Sequence, residues 1–154
     1  MVLSMDNLQL QGTTVESELQ KNGVYASVTS GISMRPLFKT NRDMVILKRP
    51  ESEPKKYDVV LYKVASGRYV LHRIVKVTSD KLVIRGDNTF SLEYVDKGDI
   101  IGILTEFNRN GRRVSVDNKL YVVYSRLWNF IYPLRLIAHK VISLLKRVYR
   151  KIFR

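Results

Sequence analysis

Apolar and polar positions alternate in short runs through the middle of the chain. In residues 69–77, Val70, His72, Ile74 and Lys76 fall on one side while Leu71, Arg73, Val75 and Val77 fall on the other, the two-residue period of a β-strand. Further short runs at 24–29, 44–48, 58–64, 81–85, 99–107 and 112–116 are punctuated by Ser66-Gly67, Ser79-Asp80 and Asn110-Gly111. Turn-forming pairs between short strands predict antiparallel hairpins. No crossover helices intervene, which argues against a doubly wound parallel sheet. The expected fold is mainly β, in the α+β class, with helices at its two ends.

Those ends carry a different period. Residues 1–12 show no pattern and are expected to be loose. Thr13-Thr14-Val15-Glu16 has capping-box spacing ahead of a short helix over 15–22, which Gly23 closes. After Asn118, the residues Tyr121, Tyr124, Leu127, Trp128 and Ile131 recur at helical spacing until Pro133, which is expected to break or kink the segment. Beyond it Leu134, Ile137, Val141, Leu144, Leu145, Val148 and Ile152 form one face. Arg135, His139, Lys140, Ser143, Lys146, Arg147, Arg150, Lys151 and Arg154 form the other. The predicted organisation is an N-terminal segment (1–23), a β domain (24–117) and a basic amphipathic helical tail (118–154).

Charge sharpens the reading of the tail. The net charge is +13, yet nine of the 27 Lys and Arg lie from Lys119 onward with no Asp or Glu among them. Before that point 18 basic residues face 14 acidic ones, so the body is only mildly basic. A basic amphipathic helix suits the surface of an anionic membrane, and the alternative is a helix packed on the β body with its basic face in water. No stretch of about 18 uncharged apolar residues is present, so no conventional spanning helix is expected. The segment contains no recognised nucleic-acid-binding motif, and no specific nucleic-acid partner is expected.

Composition narrows the chemistry. At 154 residues and 45% apolar content the chain suffices for one domain with a core. The absence of cysteine excludes disulfides, thiol catalysis and zinc-thiolate sites. With two histidines and no His/Asp/Glu cluster, neither a catalytic metal nor any other cofactor is expected. No basic region followed by an apolar run opens the sequence. The chain is therefore expected to stay in the cytoplasm, peripheral on the inner face of the membrane.

Candidate chemistry centres on Ser30-Gly31-Ile32-Ser33-Met34-Arg35-Pro36. Taken alone this is an ordinary Ser/Gly turn after a strand. It also suits presentation of a hydroxyl: Gly31 permits a sharp bend, Pro36 fixes the chain beyond, and Met34 offers apolar wall. His72, in an apolar row of its strand, is by itself more often a structural residue.

Four ordered blocks change the weighting. Ser-Gly-Ile-Ser-Met-Arg-Pro (30–36), Tyr-Asp-Val-Val-Leu-Tyr (57–62), Leu-His-Arg-Ile-Val (71–75) and Arg-Gly-Asp-Asn (85–88) resemble the blocks of type I signal peptidases, over about residues 24–106. The resemblance implies Ser33 as nucleophile and His72 as general base, in the histidine-base kind of that family, where many bacterial members carry lysine. A serine needs a positioned base to become reactive, and an imidazole near neutrality suits that task. Lys76 lies about 13 Å along the strand from His72, too far for both to serve one serine. Arg73, on the opposite face, is read as structural.

A histidine base needs an acceptor at its second nitrogen, and two carboxylates compete. Asp87 matches the Gly-Asp-Asn motif, although Asp between Gly and Asn is also an ordinary turn-former. Glu93 falls where histidine-type relatives carry aspartate, and it is preferred by a small margin. The oxyanion hole is expected from the Ser33 amide and groups around Gly31, with Ser30 as a further contributor. Many relatives place a serine donor at the position of Gly31, so here backbone must supply it.

The expected function is a serine endopeptidase that cleaves leader or signal peptides, with a peptide or preprotein as substrate and small residues preferred before the cut bond. One alternative is a self-cleaving repressor of the same clan, although the chain has no Ala-Gly pair and its first 23 residues are too few for a DNA-binding domain. Another is a non-catalytic membrane or nucleic-acid binding module on a degenerate peptidase scaffold. Nothing before Ser33 is apolar enough for the transmembrane anchor usual in signal peptidases.

Overall fold

The computed structural model describes residues 2–3 and 14–152. In chain order the elements are β1 (Val2–Leu3), α1 (Val15–Asn22), β2 (Val24–Ser30), β3 (Met44–Lys48), β4 (Val59–Lys63), β5 (Tyr69–Val77), β6 (Lys81–Arg85) and β7 (Glu93–Asp96). There follow β8 (Ile100–Arg109), β9 (Arg112–Ser115), α2 (Lys119–Phe130) and α3 (Tyr132–Ile152). The fold is α+β, as the alternation predicts. The strands form one sheet in the order β1-β2-β3-β8-β4-β5-β6-β7, with β9 added to β8 and β1 also paired to β5. Every pairing is antiparallel.

The hairpins predicted from turn residues are β4–β5, β5–β6 and β8–β9, the last turning at Asn110-Gly111 so that Arg109 faces Arg112. The pairings of β8 with β3 and β4 join residues far apart in sequence and set the sheet's order. Two strands lie outside the expectation. Val2–Leu3, read as part of a loose 1–12, pair with β2 and β5; residues 4–13 lie outside the described residues. Glu93–Asp96 pair with β6, where sequence offered no strand signal.

Strand β4 shows why its Val-Val-Leu-Tyr run is continuously apolar. Val59 and Leu61 enter one core cluster with Met34, Leu37, Phe38, Leu47 and Leu71, while Val60 and Tyr62 enter a second with Val70, Ile74, Leu82 and Ile84. A strand covered on both faces has no polar side to alternate with. Helix α1 adds Val15 and Leu19, one turn apart, to the first cluster. Burying two such side chains contributes about 1.5–3 kcal/mol each.

The α1 cap sits one residue later than its sequence spacing suggests. Thr14 is the N-cap: its hydroxyl accepts from the Ser17 amide at 3.2 Å, and the Ser17 hydroxyl accepts from the Thr14 amide at 3.0 Å. Glu16, expected to close the box, instead accepts from the Tyr69 hydroxyl and pairs with Lys63 at 3.4 Å. At the other end, the Asn118 side chain caps α2 by accepting from the amides of Leu120 and Tyr121, a contribution of about 1 kcal/mol. Pro133 separates α2 from α3 by standing in the first turn of α3, where a missing amide proton costs nothing.

Candidate active site

Strand β2 delivers the serine turn. It ends at Ser30, and Gly31 follows with φ 79°, a left-handed bend that a side chain would strain. Ser33 then sits in a turn whose later residues are anchored: Met34, Leu37 and Phe38 are almost wholly buried. From the far side, loop 86–88 clasps the same turn. The Asn88 amide donates to the Ser33 carbonyl at 2.7 Å, the Asn88 side chain donates to the Ile32 carbonyl, and the Asp87 amide contacts Met34 Sδ at 3.5 Å. A Cβ on Gly86 would lie 2.7 Å from the Ser33 carbonyl oxygen and 3.0 Å from His72 Nε2. Only a glycine leaves room for serine and histidine to meet.

His72 comes from β5, paired with Val60 of β4, and its Nε2 lies 3.0 Å from Ser33 Oγ. On the ring's other side, Nδ1 lies 2.8 Å from Glu93 Oε1. Sheet register explains how a residue 21 positions later arrives there. Ile74 pairs with Ile84 and Ile84 with Glu93, so Glu93 shares the face of β5 that carries Ile74 and, two residues earlier, His72. A carboxylate at Nδ1 fixes the tautomer, with the proton on Nδ1 and the lone pair of Nε2 toward the serine.

Tyr62, which the sequence offered only as the end of the Tyr-Asp-Val-Val-Leu-Tyr block and with no role at the site, completes the group. Its hydroxyl donates to Glu93 Oε2 and lies 3.2 Å from His72 Nδ1. Burial first, and then Glu93, raise the Tyr62 pKa, which keeps the phenol protonated as a donor. Strand register places it there: Tyr62 pairs with Val70 and so shares a face with His72, one step diagonally across β4 and β5. Burial lowers the His72 pKa from its ordinary 6.5, with Glu93 acting in the opposite sense. The imidazole is therefore held neutral and ready to accept a proton at neutral pH.

Asp87, the other candidate partner for His72, faces Arg73. Arg73 Nε and Nη2 each donate to one Asp87 oxygen at 2.8 Å, and Tyr124 donates to Oδ2 at 3.0 Å. Arg73 Nη1 donates to the Tyr57 carbonyl and the Tyr121 hydroxyl. Burial alone would weaken the guanidinium's hold on its proton, and the Asp87 carboxylate more than offsets this. Around the same residue the tail attaches: Trp128 Nε1 and Arg135 Nη2 donate to the Asp87 carbonyl at 2.8 and 2.7 Å. Helix α2 thus turns Tyr121, Tyr124 and Trp128 toward the β body. Of the residues expected at the site, Ser33, His72 and Glu93 come together; Gly31 and Ser30 border the turn, and Asp87 supports the loop behind it.

No protein-family model matches the chain, and neither a curated protein nor a solved structure does.

Proposed function

We propose that the chain is a serine endopeptidase that resembles type I signal peptidases of the histidine-base kind and cleaves leader or signal peptides. The observation that carries this reading is the aligned row Ser33 Oγ, His72 Nε2, His72 Nδ1 and Glu93 Oε1, with contacts of 3.0 and 2.8 Å. In the first step Ser33 Oγ attacks the scissile carbonyl carbon as Nε2 takes the hydroxyl proton. Glu93 accepts the Nδ1–H bond and stabilises the imidazolium that forms. The oxyanion is received by the Ser33 amide and backbone near Gly31 and Ser30. As the intermediate collapses, the imidazolium returns its proton to the leaving amine, and a water then repeats the sequence on the acyl-enzyme. A leader peptide with small residues before the cut bond should be cleaved by the parent chain and left intact by Ser33→Ala of unchanged melting temperature. Equal cleavage by both would end the reading.

Peripheral attachment to an anionic membrane belongs to the same proposal. Among the described residues no helix is long and apolar enough to cross a membrane. In α3, Leu134, Ile137, Val141, Leu144 and Val148 are exposed, and the outer face of α2 adds Leu120, Val123, Leu127 and Phe130. Exposed apolar residues therefore line both helices, while the Lys and Arg of α3 beyond Arg135, which is engaged with Asp87, suit anionic headgroups, each contributing about 1 kcal/mol near such a surface. Apolar insertion resists salt and the charge attraction does not. Sedimentation with anionic vesicles should be strong at low salt and partial at high salt, with little binding to neutral vesicles. Equal binding to neutral vesicles would remove the role of charge.

A further inference from the structure

Register pairs Arg73 of β5 with Arg85 of β6, so both guanidinium groups lie on the face that α2 and α3 cover. Asp87 is the carboxylate that meets them there, and it is already committed: Arg73 bonds both of its oxygens and Tyr124 shares one. Arg85 is only 6% exposed, and its Nη2 donates to the neutral side chain of Asn129 at 3.1 Å. From the first turn of α3, Arg135 gives Nη2 to the Asp87 carbonyl, while its Nη1 is buried with no hydrogen-bond partner. Among the described residues neither Arg85 nor Arg135 forms an ion pair with a carboxylate. The face therefore gathers more positive charge than Asp87 offsets.

Aromatic rings hold these two cations by their flat sides. Arg85 Cζ lies 3.3 Å from the centre of the Tyr132 ring, and Arg135 Cζ lies 4.0 Å from that of Trp128. Stacking uses the face of a guanidinium and leaves the N–H groups in its plane available. In Arg73 every nitrogen is bonded; in Arg85 and Arg135 donors remain. Burial lowers the pKa of both groups, and the Arg135 charge acts in the same sense on Arg85. An unpaired buried donor and an uncompensated buried charge each cost stability that an anion would return. Trp128, Asn129, Tyr132 and Arg135 are half-buried, so the cluster borders solvent.

We infer that Arg85 and Arg135 form a binding site for a phosphate group where β6 meets the junction of α2 and α3. Two donor forks from separate elements match the several oxygens of a tetrahedral phosphate better than the two of a carboxylate. Two sources carry that chemistry, a soluble phosphate and the headgroup of an anionic lipid. The lipid source rests on the membrane reading above; the site itself rests neither on that reading nor on the peptidase one.

Trp128, the chain's single tryptophan, lies against Arg135 and reports occupancy. The full chain is titrated with inorganic phosphate, against chloride at equal ionic strength, while Trp128 emission and melting temperature are followed. Phosphate should change the emission saturably and raise the melting temperature, as a ligand of the folded state does. Arg85→Gln should weaken phosphate binding about tenfold or more, the effect of losing a charged hydrogen-bond donor. In chloride it should melt no lower than the parent, because an unpaired cation is removed. If Arg85→Gln does not fold, Arg85→Lys takes its place: it keeps the charge, loses the fork, and should also bind more weakly. No response beyond that of chloride, or equal phosphate affinity in parent and variant, overturns the proposal. Vesicles separate the sources. With net charge unchanged, Arg85→Lys should sediment less than the parent with phosphatidylglycerol vesicles if the headgroup is the ligand. Equal sedimentation beside weakened phosphate binding supports the site and assigns it to a soluble phosphate.

Discussion

His72 and Arg73 are neighbours on β5, point to opposite faces, and each holds a carboxylate at 2.8 Å. The surroundings make the two pairs different devices. The Arg73 and Asp87 side chains are 0% and 3% exposed, and every guanidinium nitrogen has a partner. Such a pair is closed: it holds loop 86–88, α2 and the start of α3 together. On the other face Glu93 is 32% exposed at the sheet margin, and the imidazole has one nitrogen committed to it and the other turned to a hydroxyl. A short contact between charges says little about function until the remaining donor and acceptor positions are counted. A fully satisfied pair supports, while one with a nitrogen facing a nucleophile can react.

Glu93→Gln and Asp87→Asn should act in opposite ways, one on turnover and the other on stability. The larger effect is expected from Glu93→Gln, which should lower kcat by about 10²–10⁴-fold with little change in melting temperature, because an amide disfavours the working tautomer and cannot stabilise the imidazolium. Its pH profile carries a sign. Burial depresses the His72 pKa and Glu93 raises it, so the acid limb of kcat/KM should lie below 6.5 in the parent. Removing the carboxylate should move that limb lower still; a shift upward would contradict the assigned contact.

The smaller catalytic effect and the larger structural one belong to Asp87→Asn. It leaves the buried Arg73 charge without its counterion, and loss of one partner from such a pair costs about 3–5 kcal/mol. Chemical denaturation should register that loss, while kcat of the fraction still folded stays within an order of magnitude of the parent. Should the Asp87→Asn chain keep its stability and lose turnover, the roles of the two carboxylates would have to be exchanged.

Sequence made one face of this comparison more legible than the other. The alternation of Val70, His72 and Ile74 put the histidine on an apolar row, and Arg73 was correctly set opposite it. The hairpins followed from turn pairs, because local chemistry decides them. The partner of His72 stayed open, since Glu93 reaches it only through the register of β5, β6 and β7, and the four-residue β7 begins and ends on a charge. Tyr62 sat in a continuous apolar run that hid its hydroxyl's task. The aromatic residues of 121–128 had helical spacing, but their attachment to Asp87 depends on long-range hydrogen bonds that no local pattern encodes. Val2–Leu3 escaped notice for a similar reason: two residues have no period.

The central claim is that Ser33 is a nucleophile activated by His72, and the most direct measurement is covalent labelling with a fluorophosphonate, which reacts with activated serine hydroxyls. Intact-mass analysis and peptide mapping should find one adduct, on Ser33, forming faster as pH rises through the His72 titration and absent from His72→Ala. Labelling spread over several serines, or unchanged by loss of His72, would contradict the account.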